Sequence, residues 1–197
     1  MNAKVFKAAE AYKLEDPERL RWLPPNEVLE VLQVASGMVV ADIGAGTGFF
    51  ALPLAAAVGS AGKVYAVDFQ PEMLSLIAQK LAAGGPKNIQ LVEGSAAGTK
   101  LATNSCDLVL LANVWHELDD TTSVLQEMER ILKPEGRLAV LDWRTDVSRP
   151  PGPPLDHRIS SEQICEAAES AGWKRGMSRK IGTYNYLLVC SRLAKPA

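Results

Sequence analysis

The sequence predicts an α/β fold of three layers: a doubly wound, mostly parallel sheet between helices, closed by an antiparallel strand pair. Three observations carry this. Short apolar runs alternate with amphipathic helical patterns from residue 39 to residue 141. The run Asp107 to Leu111 is continuously apolar after its first residue, as suits a strand covered on both faces. The last two β-type runs, around Met177 to Ile181 and Tyr186 to Ser191, are joined only by Gly182-Thr183 and neighbours. That turn is too tight for a crossover helix, so the pair must be antiparallel.

Composition agrees. The chain has 197 residues, 47% hydrophobic and 22% charged, with a net charge of −2. This suits one sizeable core and a single domain over 1–197, and excludes disorder, collagen and a disulfide-stapled mini-protein. Aromatic residues are only 6%, so Ala, Leu, Val and Ile must fill the core.

The elements follow in order. Asp16-Pro17-Glu18 reads as a helix start, with Asp as N-cap and Pro at the first helical position. A second helix follows Pro24-Pro25, with Val28, Leu29, Val31 and Leu32 inward and Gly37 as its stop. Val39 to Ile43 is a buried strand that ends in a glycine loop, and Phe49 to Val58 is an Ala/Leu helix. Pro53 lies near its first turn, where a missing amide costs least.

Lys63 to Val67 is a strand ending at Asp68, and Pro71 opens a helix with Met73, Leu74, Ile77 and Leu81 inward. Ile89 to Val92 and Asp107 to Leu111 are strands. Asp119 or Asp120 caps a helix that turns Val124, Leu125, Met128, Ile131 and Leu132 inward. Pro134 and Gly136 punctuate before the strand Arg137 to Leu141. Ser160 with Gln163 forms a capping box for a helix that stops at Gly172. Arg149-Pro150-Pro151-Gly152-Pro153-Pro154 is a stiff loop.

Met1 to Glu10 lacks the apolar core of a secretory signal, and no run reaches the roughly 18 apolar residues of a membrane span. Cys106, Cys165 and Cys190 are scattered, with no Cys-x-x-Cys, so neither a metal site nor a disulfide framework is expected. The expectation is a cytoplasmic protein with reduced thiols. From Trp173 onward there are six basic residues and no acid, so the rest of the chain is strongly acidic. A solvated edge hairpin whose Lys and Arg discourage edge pairing is the favoured explanation, ahead of an anionic partner.

The informative segment is Asp42-Ile43-Gly44-Ala45-Gly46-Thr47-Gly48-Phe49. Three alternating glycines between a strand and a helix let the backbone turn sharply and lie against a ligand. Asp68 closes the next strand 20 positions beyond Gly48, where a carboxylate can accept both hydroxyls of a ribose. The spacing is Gly-x-Gly-x-Gly, and no Gly-Lys-Ser/Thr is present, which excludes a triphosphate cradle. Asp42 at the mouth of the loop repels a pyrophosphate and suits a cationic ligand. Both features oppose a nicotinamide oxidoreductase.

With these residues in place, the sequence resembles the class I S-adenosylmethionine-dependent methyltransferases, in particular the small group that includes the quinone-ring methyltransferases. The resemblance rests on Val39 to Phe49, Val64 to Met73, Gly94-Ser95-Ala96, Asp107 to Leu118 and Leu132-Lys133-Pro134-Glu135-Gly136-Arg137-Leu138. It implies a Rossmann-like sheet of seven strands whose last, inserted strand is antiparallel. It also implies S-adenosylmethionine as cofactor, with S-adenosylhomocysteine as product.

The implied roles follow residue by residue. Gly44, Ala45, Gly46, Thr47 and Gly48 wrap the methionine part with Asp42 near its ammonium, and Phe49 follows the loop. Asp68 binds the ribose, and Phe69 and Met73 flank the adenine. Gly94, Ser95 and Ala96 stand where many relatives bind the adenine amino group with an acid, here replaced by a serine. Asn113 and Val114 line the methionine side. Residues 1–36 are expected to form a helical lid, and 143–158 a proline-rich loop over the substrate side.

A sulfonium methyl is already activated, so the protein must mainly align and desolvate the acceptor; a base is needed only for a protonated, poorly acidic one. His116, after the fourth strand, is a candidate base or substrate contact, or else a loop histidine that orders its surroundings. Arg144, after the fifth, is a candidate contact for an anionic substrate, or one half of an Asp–Arg pair beside a packed Trp143. No Asn/Asp-Pro-Pro-Tyr, Pro-Cys pair or arsenite-type cysteine set is present, and the chain is slightly acidic. A small, partly apolar acceptor is therefore expected rather than nucleic acid. A non-catalytic cofactor-binding module, or an RNA or protein methyltransferase using Arg175 and Arg179, remain alternatives.

Overall fold

In a computed structural model the structure describes residues 5–147 and 151–193. Arg149 and Pro150 of the proline loop, Lys195 of the basic segment and residues 1–4 of the N-terminal region lie outside the described residues.

After a 3-10 helix at Ala8–Glu15 come two short helices, α1 (Arg19–Trp22) and α2 (Pro25–Val31). Then β1 (Val39–Ile43), α3 (Ala51–Val58), β2 (Lys63–Asp68), α4 (Pro71–Ala82) and β3 (Ile89–Glu93) alternate. The second half adds β4 (Cys106–Ala112), α5 (Thr121–Ile131), β5 (Leu132–Trp143), α6 (Ser161–Ser170), β6 (Trp173–Ile181) and β7 (Asn185–Arg192).

The seven strands lie in the order β3-β2-β1-β4-β5-β7-β6. β1 to β5 are parallel, and β7 runs antiparallel between β5 and β6. This is the seven-stranded, mostly parallel fold with an inserted antiparallel strand. The central strands of the sheet are buried on both faces. Val40, Leu108, Leu110 and Leu187 pack with α2, α3 and α4 on one side. Ala41, Val109, Leu111 and Leu188 pack with α5 and α6 on the other. The alternation of neighbours along β1 and β4 between the two cores is the two-residue period of a strand. The chain reverses its direction of winding between β1 and β4, so a crevice opens beyond their carboxyl ends.

Several local expectations shift. Asp16-Pro17-Glu18 forms a turn, with Asp16 Oδ1 accepting from the Glu18 amide at 2.9 Å, and helix α1 begins only at Arg19. α2 ends at Val31, and Gln33, at φ +50°, breaks it four residues before Gly37. Pro134 and Gly136 lie inside β5: Leu132 already pairs with Cys106, and the register shifts before Arg137 meets Leu108. Pro134 is tolerated because it sits exposed within that irregularity. Of the two proposed caps of α5, Asp120 accepts from the Ser123 amide at 3.0 Å. The Ser160–Gln163 capping box is present on α6.

Candidate functional site

A cleft of about 1320 Å³ opens beyond the carboxyl ends of β1, β2 and β4 and is roofed by the N-terminal segment and the proline loop. Its floor is the turn after β1. Gly44, Gly46 and Gly48 hold φ of 71°, 54° and 87°, a region that side chains disfavour. At Gly44 a Cβ would also collide with Val114 Cγ2. Gly44, Ala45, Gly46 and Thr47 line the cleft, and Phe49 follows them. Gly48 does not line it and instead lets the chain turn down against Ile77.

Asp42, the penultimate residue of β1, lines the cleft and is almost fully buried. Its Oδ2 has no hydrogen-bond partner. Burial, with the charge of Asp68 nearby, pushes its carboxyl up to about 7, against the opposing pull of Arg19 and the Ala51 amide. A buried, unsatisfied carboxylate oxygen costs free energy unless a donor or cation meets it.

Asp68, at the end of β2, is held in two directions. Its Oδ2 accepts from the Gly46 amide at 2.8 Å and its Oδ1 from the Gln70 amide at 2.9 Å. Burial raises its pKa despite these bonds. Phe69 is half exposed and stands beside the buried Met73, and both border the cleft. Gly94, Ser95 and Ala96 form the opposite rim, with the Gly94 amide on the Asp68 carbonyl at 3.1 Å. Asn113, at φ +59°, and Val114 line it at the end of β4.

His116 lies in a 3-10 turn, Trp115–Glu117, and is buried at the cleft wall. Its Nδ1 is 2.9 Å from Asp142 Oδ1, and its amide donates to Asp142 Oδ2 at 3.2 Å. Burial alone would lower its pKa, but the hydrogen bond and charge of Asp142, with Glu117, hold it above the ordinary value. Burial pushes the neighbouring Glu117 up to about 7.

Arg144 does not line the cleft. Its guanidinium forms a fork on Asp146, at 2.8 and 2.9 Å, and also donates to the Thr183 carbonyl. The Asp–Arg pair exists, but its acid is Asp146; Asp142 serves His116. The basic residues of β6, Arg175 and Arg179 among them, lie on the sheet edge and do not line the cleft either.

Two participants escape sequence reasoning. Arg19 of α1 is buried in the cleft, its guanidinium 3.9 Å over the Phe49 ring. Burial pulls it down to about 10, so it remains a cation at neutral pH. Gln70 fastens the N-terminal segment: its Oε1 accepts from the Ala8 amide at 3.0 Å and its Nε2 donates to the Phe6 carbonyl at 2.9 Å. The Phe6 amide donates in turn to Glu117 Oε1 at 3.2 Å. No local pattern in the sequence pointed to Arg19 or Gln70.

Comparison with known proteins follows the same lines. The family described as methyltransferase domain matches residues 35–184. A solved structure of a SAM-dependent methyltransferase from Aquifex aeolicus is 32% identical, with a TM-score of 0.90 over 94% of this chain and 98% of that one. A putative type 11 methyltransferase from Sulfolobus solfataricus is 26% identical, with a TM-score of 0.74 over 89% and 96% of the two chains. Demethylmenaquinone methyltransferase of Geobacillus stearothermophilus is 35% identical over 123 residues, 62% of this chain and 52% of that protein. The chain thus spans about half the length of the curated relatives it matches. Among the described residues no helix is long and apolar enough to cross a membrane.

Proposed function

The chain belongs to the family of S-adenosylmethionine-dependent methyltransferases, and on that premise we propose that it transfers a methyl group to a small, partly apolar acceptor. The observation that carries this reading is the orphaned Asp42 Oδ2 in a cleft floored by bare backbone at Gly44 and Gly46. A cationic ligand laid on that backbone satisfies the oxygen and keeps the carboxylate ionised.

The residues fit the cofactor along its length. Asp42 and Arg19 face one another across the loop, an anion and a cation suited to the ammonium and carboxylate of an amino-acid tail. Asp68 retains lone pairs for the ribose hydroxyls after its two amide bonds. Phe69 and Met73 supply apolar surface for the adenine. When bound, the cofactor supplies a methyl on a sulfonium, a good leaving group that needs no further activation.

The chain's own part is to exclude water and align the acceptor. Residues of the 1–36 region, tied down by Gln70 and Glu117, act as a lid, and the described part of 143–158 closes the acceptor side. Trp22 and Trp143, with ring centroids 5.5 Å apart, provide the apolar wall. The demethylmenaquinone methyltransferase relatives support a partly apolar acceptor.

Calorimetric titration with S-adenosylmethionine, S-adenosylhomocysteine and NAD tests the reading. Binding of the two sulfur ligands at about −8 kcal/mol, a micromolar Kd, with none of NAD, supports it. Failure of both sulfur ligands removes it. Turnover of any small acceptor separates an enzyme from a non-catalytic module.

A further inference from the structure

Resting on the methyltransferase reading, we propose that the cleft takes a neutral, planar acceptor carrying a hydroxyl group, that His116 Nε2 is the base that removes its proton, and that Asp142 positions the imidazole. Three observations converge on this.

The first is the geometry of the dyad. Asp142 is fully buried at the end of β5. Its carboxylate takes His116 Nδ1 at 2.9 Å, the His116 amide at 3.2 Å and the Trp143 amide at 2.7 Å. A carboxylate so anchored accepts the Nδ1 proton and fixes both ring orientation and tautomer. The lone pair is left on Nε2, which lies 3.9 Å from Glu117 Oε1, beyond hydrogen-bonding length. The cofactor needs no acid or base, so a prepared base on the cleft wall is matched to an acceptor that arrives protonated.

The second is charge. The lysine and arginine side chains lining the cleft are Lys13 and Arg19. Lys13 is bound by Glu10 at 2.6 Å, and Arg19 faces Asp42. Arg144 is turned away onto Asp146. An anionic acceptor would enter an acidic cleft with no unmatched lysine or arginine among the described residues, so a neutral one is favoured.

The third is shape. Trp143 follows Asp142 directly, so the wall and the base sit on adjacent elements. Its ring is backed by the Arg158 guanidinium at 5.4 Å and lies so close to Gly152 that a Cβ there would collide with it. Trp22 packs against it, tilted by 38° at 5.5 Å, so the buried indole is a fixed apolar wall of the cleft.

The step balances. The hydroxyl oxygen keeps the electron pair of its O–H bond and forms the new O–CH3 bond. Sulfur keeps the pair of the bond it loses. The proton rests on His116 Nε2 and then passes to solvent.

The test compares phenol with 4-nitrophenol, which ionises by itself near neutral pH, and with benzoate, using the full chain. His116→Gln should lower kcat on phenol by about 100-fold or more but affect 4-nitrophenol only a few-fold. S-adenosylhomocysteine affinity by calorimetry should stay within about threefold, since that ligand does not use the imidazole. Nitrogen NMR of the wild-type chain should show neutral His116 protonated on Nδ1.

The groups facing His116 are Asp142 from β5, Glu117 from its own turn and Arg158 from the segment before α6. Asp142→Asn removes the dominant raising partner, so the acidic limb of the pH–rate profile should move to lower pH. Equal losses on both phenols in His116→Gln overturn the proposal. So do a proton on Nε2, benzoate turnover at the phenol rate, or no phenol turnover by a chain that binds S-adenosylhomocysteine. A chain that binds neither sulfur ligand overturns the underlying reading as well.

Discussion

The amide of Gly46 donates to Asp68 Oδ2 at 2.8 Å, tying the loop after β1 to the end of β2. One carboxylate thus shapes the loop and offers itself to the ligand. Asp68→Ala should weaken S-adenosylhomocysteine binding by about 1–3 kcal/mol, because ribose hydroxyls and a loop amide both lose their acceptor. Calorimetry reads this directly, and an unchanged Kd would remove Asp68 from the site.

Gly44 is constrained twice, by its φ of 71° and by Val114. Gly44→Ala should abolish cofactor binding and destabilise the fold by at least about 1–3 kcal/mol. Adding Val114→Ala should restore part of the thermal stability, since it removes the collision but leaves the backbone strain. Equal melting temperatures for the single and double variants would show that the side-chain collision costs nothing.

Stability should depend on pH with a defined sign. Asp42 and Glu117 rise from ordinary values of 3.8 and 4.5 to about 7, and His116 is also raised. The native chain therefore holds protons that the unfolded chain releases. Stability contributed by these groups is present at low pH and is lost as pH rises through about 7. The cofactor-free protein should melt at a higher temperature near pH 5.5 than near pH 8 as far as these groups decide. A cationic ligand favours ionised Asp42, so the rise in Tm on adding S-adenosylmethionine should be larger near pH 8. Asp42→Asn should flatten both trends in thermal scans.

Arg158 holds the proline loop from beneath, donating to the carbonyls of Pro151, Pro153 and Arg144 at 2.9 to 3.1 Å. Arg158→Ala should release residues 151–158 without unfolding the sheet. Hydrogen exchange should quicken at His157 and Arg158, whose amides bond to Pro154 and Leu155. Acceptor KM should rise more than kcat falls. Lysine should not rescue it, because a single ammonium cannot span the carbonyls that the guanidinium fork reaches.

The strands were legible in the sequence because β1, β4 and β7 are buried on both faces and read as largely apolar runs. The glycine loop and Asp68 were legible because their spacing is local to one β-α-β unit. β6 was less so: its interior, Lys174 to Lys180, is exposed edge and carries no apolar signal, which hid its true start at Trp173. Arg19 and Gln70 gave no local signal, since their roles depend on contacts over tens of residues with Asp42 and Phe6. Asp142 stands two positions from Arg144 in sequence, but β5 ends at Trp143, so Arg144 leaves the strand for Asp146 while Asp142 meets His116 from the neighbouring strand's end.

The position of β7 governs how the chain can be made. It is the last of the seven strands to leave the ribosome, yet it fills an interior slot, pairing with β5 along Arg137–Trp143 and with β6 on the other side. Until residues 185–192 emerge, β5 presents an open, apolar edge, the kind of surface that recruits other chains. A translation product stopped at the turn near Gly182 would hold the complete cofactor floor and still be unable to close its sheet. Such a fragment would depend on a holdase, whereas the same residues become safe once eight more are added beyond Tyr184.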